Sequence, residues 1–149
     1  MTGQENLMNA YTENDRPERT PGTDSELVTA ARRAARRAHA PQSGFHVGVA
    51  VLDENGGIHL GCNVETSAHT AVHAEEAAIA AWRIGGSGRP VRIAICGPEG
   101  NPIPPCGMCR QLLSETAPGI EILVADGQTL RIEDLLPAGF GPGHLGVAH

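Results

Sequence analysis

The chain has 149 residues, a length that suits one domain with a core large enough to fold alone. It contains no run of eighteen apolar residues, and its first residues have neither a basic start nor an apolar stretch, so we expect no membrane span and no secretory signal. The net charge of −6 opposes a phosphate-binding surface, which predicts no nucleic-acid or membrane partner and leaves small, neutral or weakly charged ligands open.

The first elements in chain order are a tail and a helix. Residues 1–23 are polar and predict a flexible tail, and residues 24–149 are expected to form the functional domain. Asp24 or Ser25 is expected to cap a helix that runs to about His39 and is ended by Pro41. This helix carries a cluster of basic residues, Arg32, Arg33, Arg36 and Arg37. The cluster indicates a solvent-exposed helix face more than a nucleic-acid-binding surface.

The rest of the chain alternates between strand and helix patterns. Apolar runs on both sides of the turn at residues 53–57 predict a β-hairpin, and a helix is expected at about 72–84, ending in Gly85-Gly86. The sequences VRIAIC and IEILVA predict strands, CGMCRQLLSET a helix between them, and LRIEDLLP a strand end with a short helix. Because two apolar runs do not alternate, we expect central strands covered by helices on both sides, a three-layer α/β/α arrangement.

Four side chains at two predicted helix starts suggest a metal site. Cys106 and Cys109 begin one helix, where free N–H groups and the helix dipole favour thiolates, and His73 begins another. Two thiolates and one imidazole leave a tetrahedral Zn²⁺ with one open position, which is typical of a catalytic site. Water at that position would have its pKa lowered to roughly 7, and Glu75, beside the ligands without being one, would carry its proton.

Each part of this pattern has an ordinary explanation when taken alone. A C-x-x-C sequence can be a redox pair, and a histidine or glutamate in a first turn is often a cap or a partner of the helix dipole. The combination of H-A-E with P-C-x-x-C about thirty residues later is far more specific. It resembles the signature of the zinc-dependent nucleobase deaminases. Cys62 and Cys96 are interpreted as packing residues and not as ligands.

Four further motifs resemble the small cytidine deaminases, in the same order and over most of the chain. AHAPQSGFHVGVAVL resembles the family's A-Y-A-P-Y-S-x-F-x-V-G-A-A, and GCNVE resembles G-C-N-V-E-N. PCGMCRQLL resembles P-C-G-x-C-R-Q, and LLPAGFGPGHL resembles L-L-P-x-x-F-G-P. The resemblance implies a mixed five-stranded sheet between helices and hydrolytic deamination of cytidine or 2′-deoxycytidine in pyrimidine nucleoside salvage, in the cytoplasm.

The resemblance also assigns site residues and an assembly. It implies one Zn²⁺ per subunit, with Glu75 as proton shuttle, and a homotetramer with shared active sites in which a phenylalanine reaches a neighbour's site. The implied metal ligands are His73, Cys106 and Cys109. The implied substrate contacts are Phe45, Asn63, Glu65, Ala74 and Phe140.

The chain also departs from the family pattern. His73 and Glu76 stand where small members of the family usually have the cysteine and arginine of C-A-E-R. A third thiolate would give the zinc site a net negative charge that an arginine could offset. With a histidine ligand the site is formally neutral, so the arginine is dispensable. Gln42 and His69 replace tyrosines near the sugar and subunit contacts.

Three alternatives stay open. One is a deaminase of a cytosine nucleoside antibiotic of the blasticidin-S type. A second is a guanine, cytosine or transfer-RNA adenosine deaminase. These enzymes share H-A-E but usually lack the R-Q, N-V-E and F-G-P motifs. The negative net charge of the chain also opposes an RNA substrate. The third is a zinc-stabilised binding module without activity, although a structural site would need a fourth ligand and no shuttle.

Overall fold

The structure, a computed structural model, describes residues 21–146. Its α-helices are α1 (Pro21–Ala35), α2 (Ala74–Gly85), α3 (Gly107–Thr116) and α4 (Ile132–Leu135). Its strands are β1 (Gly48–Asp53), β2 (Ile58–Cys62), β3 (Val64–Glu65), β4 (Ala71–Val72), β5 (Pro90–Cys96), β6 (Glu121–Leu123) and β7 (Thr129–Arg131). Short 3-10 turns cover Ala125–Gly127 and Pro142–Leu145. No helix in the described range is long and apolar enough to cross a membrane.

The first helix begins and ends earlier than the sequence suggested. It already includes Pro21, inside the predicted tail. The rest of that tail, residues 1–20, lies outside the described residues. The helix ends at Ala35 and not near His39. The His39 backbone N–H instead donates to the Asn63 carbonyl at 3.0 Å, so pairing beside β3 replaces the last helical turn.

Five strands form a mixed sheet in the order β2-β1-β5-β6-β7. β1 pairs antiparallel with both β2 and β5, β5 pairs parallel with β6, and β6 pairs antiparallel with β7. Since parallel strands need a crossover, α3 connects β5 to β6. The expected hairpin, five-stranded mixed sheet and α/β class are confirmed. The short ribbon of β3 and β4 was not predicted, because two-residue strands leave no period in a sequence.

Alternate residues of the central strands enter two separate cores, one on each face of the sheet. Val49, Ile93 and Ile122 pack with α2, α3 and α4. Their neighbours Ala50 and Ala94 face α1 on the other side. This arrangement gives the three layers that the apolar runs predicted, and it places α2 and α3 together on one face.

Candidate metal centre and active site

The start of α2 is fixed by its backbone and by a close approach to the sheet. His73 is the residue before the helix, in extended conformation (φ −75°, ψ 151°), and its backbone N–H donates to the Glu76 carboxylate at 2.6 Å. Glu76 thus forms the acidic half of a capping box. Gly61 of β2 lies under this first turn; a Cβ there would stand 2.2 Å from the Ala74 carbonyl oxygen, so only glycine permits this contact.

The start of α3 presents two cysteines one turn apart. Cys106 precedes the first helical residue and is exposed, whereas Cys109 is fully buried. Arg110 stabilises the approach to the helix, because its Nε donates to the Pro105 carbonyl at 3.0 Å. The chain direction into α3 is therefore set immediately before the first cysteine.

The two helix starts bring three potential ligands together. The Nδ1 atom of His73 lies 3.4 Å from the Sγ atom of Cys106 and 3.4 Å from that of Cys109. The three ligand atoms all lie within 4.8 Å of one another. A tetrahedral zinc with bonds of about 2.0–2.1 Å to nitrogen and about 2.3 Å to sulfur places such atoms about 3.6 Å apart. The residues present therefore fit a zinc ion bound by one imidazole and two thiolates.

Glu75 lies beside this cluster and is nearly inaccessible to solvent, with 5% of its surface exposed. Burial raises the pKa of the Cys109 thiol above its ordinary value, and the charge of Glu75 raises it further. A buried thiolate next to a carboxylate needs a cation to stabilise it. A cation bound between the ligand atoms would offset both effects and favour the thiolate form of Cys109 that a zinc ion binds.

Comparison with known proteins identifies the chain's relatives. Residues 21–125 match the family model of the cytidine and deoxycytidylate deaminase zinc-binding region. The chain belongs to this family. The match confirms zinc as the cofactor of this deaminase, which the ligand spacing supports independently.

Individual relatives of the deaminase agree in sequence and in fold. It is 39% identical over 113 residues to a cytidine deaminase of Mycobacterium tuberculosis, covering 74% of this chain and 84% of that protein. It is 30% identical to a cytidine deaminase of Sporosarcina psychrophila, covering 83% and 95%. The crystal structure of cytidine deaminase from Mycobacterium tuberculosis superposes with a TM-score of 0.74 at 36% identity, covering 78% of this chain and 96% of that one.

Asn63 and Glu65 of the deaminase lie together and hold the segment before β1. The Asn63 amide donates to the Phe45 carbonyl at 2.8 Å and accepts the Val47 N–H at 2.8 Å. Glu65 accepts hydrogen bonds from the Ser43 hydroxyl and from the backbone N–H groups of Gln42 (2.8 Å) and Ser43 (3.1 Å). The Ser43 hydroxyl is the main cause that lowers the pKa of the Glu65 carboxyl.

The remaining expected contacts occupy three different environments. Phe45 is 49% exposed and lies near Gly97, so it is not a core residue. Ala74 is buried at the first position of α2, next to His73. Phe140 is 58% exposed near the C-terminus and stacks on His144 with ring centroids 5.1 Å apart. The structure thus groups Phe45 with Asn63 and Glu65, and places Phe140 in a separate segment.

Sequence reasoning missed two supporting residues of the deaminase site. Glu76 departs from the family pattern, but its spacing of three residues from His73 is the capping-box spacing. Arg110 follows Cys109 in the motif PCGMCRQLL, and its contact with the Pro105 carbonyl closes the turn that carries Cys106. The role of Glu76 could be predicted from its spacing to His73, whereas the contact of Arg110 depends on how the chain folds before α3.

Proposed function

We propose that the protein catalyses the hydrolytic deamination of cytidine or 2′-deoxycytidine, giving uridine or 2′-deoxyuridine and ammonia. The observation that carries this proposal is the cluster of His73, Cys106 and Cys109 with the buried carboxylate of Glu75 beside it. The relatives described as cytidine deaminases, of which the chain covers most of the length, support the substrate.

His73, Cys106 and Cys109 would hold the zinc ion. When bound, zinc supplies a Lewis acid that lowers the pKa of water to about 7 and so makes a nucleophile available at neutral pH. Three protein ligands leave one position of a tetrahedral site open to water or substrate, as in other catalytic zinc sites.

Glu75 would move the protons of the reaction. Its carboxylate accepts a proton from the attacking water and donates it to N3 of the cytosine ring as the C4–O bond forms. It then transfers the second water proton to the C4 amino group, whose C–N bond breaks to release ammonia. Because Glu75 is buried, its carboxylate is shielded from bulk water while it does so.

Phe45, Asn63 and Glu65 would bind the nucleoside on one side of the site. Phe45 offers an exposed aromatic face for the pyrimidine. After its bonds to Phe45 and Val47, Asn63 still has one amide N–H to donate. After its three bonds to residues 42 and 43, Glu65 still has one of about four acceptor positions. Both side chains can therefore bind a ribose hydroxyl. Ala74, next to His73, would contribute its backbone to the base contacts.

We further infer a homotetramer in which Phe140 enters the site of a neighbouring subunit. Several large apolar side chains remain on the surface of the described chain and suit a subunit interface; they are Phe45, Ile58, Val64, Val72, Ile84, Met108, Phe140 and Leu145. Val64 and Val72 face each other across the β3–β4 ribbon. Because the proposed zinc site needs Cys106 and Cys109 as thiolates and not as a disulfide, we also infer a reducing compartment, the cytoplasm. Conversion of a cytosine nucleoside to a uracil nucleoside would serve pyrimidine nucleoside salvage.

A substrate panel tests the proposal. Zinc-loaded protein is incubated separately with cytidine, 2′-deoxycytidine, cytosine, adenosine, guanine and blasticidin S, and released ammonia is measured. We expect release from cytidine or 2′-deoxycytidine at rates far above the others. Release from blasticidin S or a free base alone would assign the site to that substrate, and no release from any compound would favour a zinc-stabilised binding module.

A further inference from the structure

Two residues directly after Cys109 connect α3 to the end of the chain. Arg110 donates through Nη1 to the Leu135 carbonyl at 3.1 Å, where α4 ends. Gln111 donates through Nε2 to the Phe140 carbonyl at 2.8 Å. Consecutive side chains of the cysteine-bearing helix therefore bind two backbone carbonyls that are five residues apart.

Beyond Leu136, the other described hydrogen bonds of this segment stay within it: the His144 N–H donates to the Gly141 carbonyl at 3.0 Å, and the Phe140 ring stacks on His144. Residues 136–146 contain no helix longer than the 3-10 turn Pro142–Leu145, and Phe140 is exposed. Glycines in this segment leave its backbone free to adopt many conformations; they are Gly139, Gly141, Gly143 and Gly146. A contact that fixes the backbone at Phe140 therefore has a large effect on where that ring lies.

The chemistry of the neighbours determines how the Gln111 amide is oriented. Its Nε2 also donates to the Glu115 carboxylate, so each of its two N–H groups has an acceptor. A carboxylate and a backbone carbonyl only accept hydrogen bonds, and the amide oxygen would be repelled by both. Glu115 thus holds the amide with its nitrogen towards Phe140.

We propose that Gln111 is a positioning residue that fixes Phe140 for substrate binding. This rests on the proposed function, in which the Phe140 ring contacts the nucleoside of a neighbouring subunit. Gln111 does not touch substrate in this account; it acts by restricting the backbone that carries the ring. Its loss should therefore weaken substrate binding and leave the metal and the chemical step intact.

The first test compares Gln111→Met with Gln128→Met. Methionine keeps the length and helix propensity of glutamine but removes both donors, and Gln128 is an exposed glutamine before β7 that serves as control. In the assembled, zinc-loaded enzyme we expect Gln111→Met to raise the KM for cytidine about three- to tenfold, the scale of one hydrogen bond, with kcat within about twofold and zinc content unchanged. An unchanged KM, or the same rise in Gln128→Met, overturns the proposal.

A double-mutant cycle tests whether Gln111 acts through Phe140. Phe140→Ala alone is expected to raise KM by more than about tenfold, because it removes the aromatic contact. If Gln111 acts only by placing that ring, adding Gln111→Met to Phe140→Ala should raise KM no further. Additive effects on KM would contradict the proposal.

Backbone hydrogen exchange separates this inference from the proposed function. In Gln111→Met, amide exchange in peptides from residues 136–146 should accelerate roughly two- to tenfold, with no change in peptides from β5. This result requires no turnover, so it stands even if the wild-type protein deaminates no cytosine nucleoside. Unchanged exchange in residues 136–146 would show that Gln111 does not hold the segment.

Discussion

At the scale of single residues, Glu75 has an environment that glutamate seldom occupies. It is 5% exposed and lies close enough to Cys109 for its charge to raise the pKa of that thiol. Buried glutamates are rare unless they are paired or functional, and removing a carboxylate from water opposes folding. The position of this side chain therefore points to chemistry and not to stability.

Replacing Glu75 by glutamine should separate proton transfer from metal binding. The amide keeps the size of the side chain but cannot accept a proton, so kcat should fall by at least about 10²-fold. Zinc content, measured by metal analysis, should stay at the wild-type level. Loss of zinc in Glu75→Gln would instead identify Glu75 as a ligand.

Asp53 is a second buried carboxylate, and its role is structural. It accepts hydrogen bonds from His59 Nε2 at 2.8 Å and from the backbone N–H groups of Gly57 (2.8 Å), Asn55 (3.0 Å) and Ser87 (3.3 Å). Burial alone would raise the pKa of Asp53, but these hydrogen bonds outweigh it and the pKa lies below its ordinary value. Asp53 thereby joins the β1–β2 turn to the connection between α2 and β5.

The lowered pKa of Asp53 predicts a pH-dependent contribution to stability. Because the unfolded chain binds this proton more readily, the contribution is full above the ordinary value of about 4 and is lost as pH falls through the lower folded value. Urea unfolding at neutral pH should show Asp53→Asn destabilised by about 1–3 kcal/mol, and the difference should shrink below about pH 4. The exposed Asp126→Asn is the control; an equal difference at all pH values would contradict this assignment.

At the scale of secondary-structure elements, the site depends on two helix starts that meet on one face of the sheet. His73 and Glu75 lie at the start of α2, and Cys106 and Cys109 lie at the start of α3. Gly61 allows β2 to lie against the first turn of α2, since a Cβ would stand 2.2 Å from the Ala74 carbonyl oxygen and 2.4 Å from the Ala78 nitrogen. A displacement of α2 there would move His73, which we propose as a metal ligand.

Gly61→Ala should therefore affect stability and zinc binding together. Backbone atoms cannot move aside cheaply, so we expect a loss of about 1–3 kcal/mol in the free energy of unfolding and weaker zinc retention against a chelator. Gly85→Ala is the matched control at the other end of α2, where an added Cβ meets nothing within 4 Å. Full zinc affinity in Gly61→Ala would show that the α2 start is not held by this contact.

Replacing either cysteine by serine should remove metal and stability at once, because metal binding is coupled to folding. Cys109 is buried and Cys106 is exposed. Because a buried hydroxyl without a partner opposes folding, Cys109→Ser should lose more stability than Cys106→Ser. Metal analysis and thermal unfolding with and without added zinc measure both effects. Full zinc occupancy in both variants would place the metal elsewhere.

Local patterns were sufficient to predict most of these elements. Continuous apolar runs identified β5 and β6 as central strands, and proline and glycine marked helix ends. The end of α1 was misjudged because His39 pairs beside β3, a contact between residues far apart in sequence. The ribbon of β3 and β4 was missed because its strands have two residues each.

The parts of the site that could be predicted are those marked by short sequence motifs. His73, Glu75, Cys106 and Cys109 could be grouped from their spacing and from the known chemistry of zinc. The bonds of Asn63 and Glu65 to residues 42–47 could not, because they join a strand to a preceding loop through tertiary contacts. The same applies to Gln111 and Phe140, which are brought together only by the return of the chain to α3.

At the scale of the whole molecule, the proposed homotetramer would cover the large apolar side chains that the described chain leaves exposed. Light scattering should give a mass about four times the chain mass of 15.5 kDa. Dilution towards the monomer should reduce activity, because each site would lose the aromatic side chain of its neighbour. A monomer with full activity would contradict both the tetramer and the shared site.

We expect this chain to hydrolyse the C4 amine of a cytosine nucleoside. Turnover of cytidine by zinc-loaded protein in ¹⁸O-labelled water, with uridine and ammonia quantified together, tests this reaction. Hydrolysis at C4 should give equal amounts of ammonia and uridine, with one ¹⁸O atom in each uridine formed. Absence of ammonia, or uridine without the label, would contradict it.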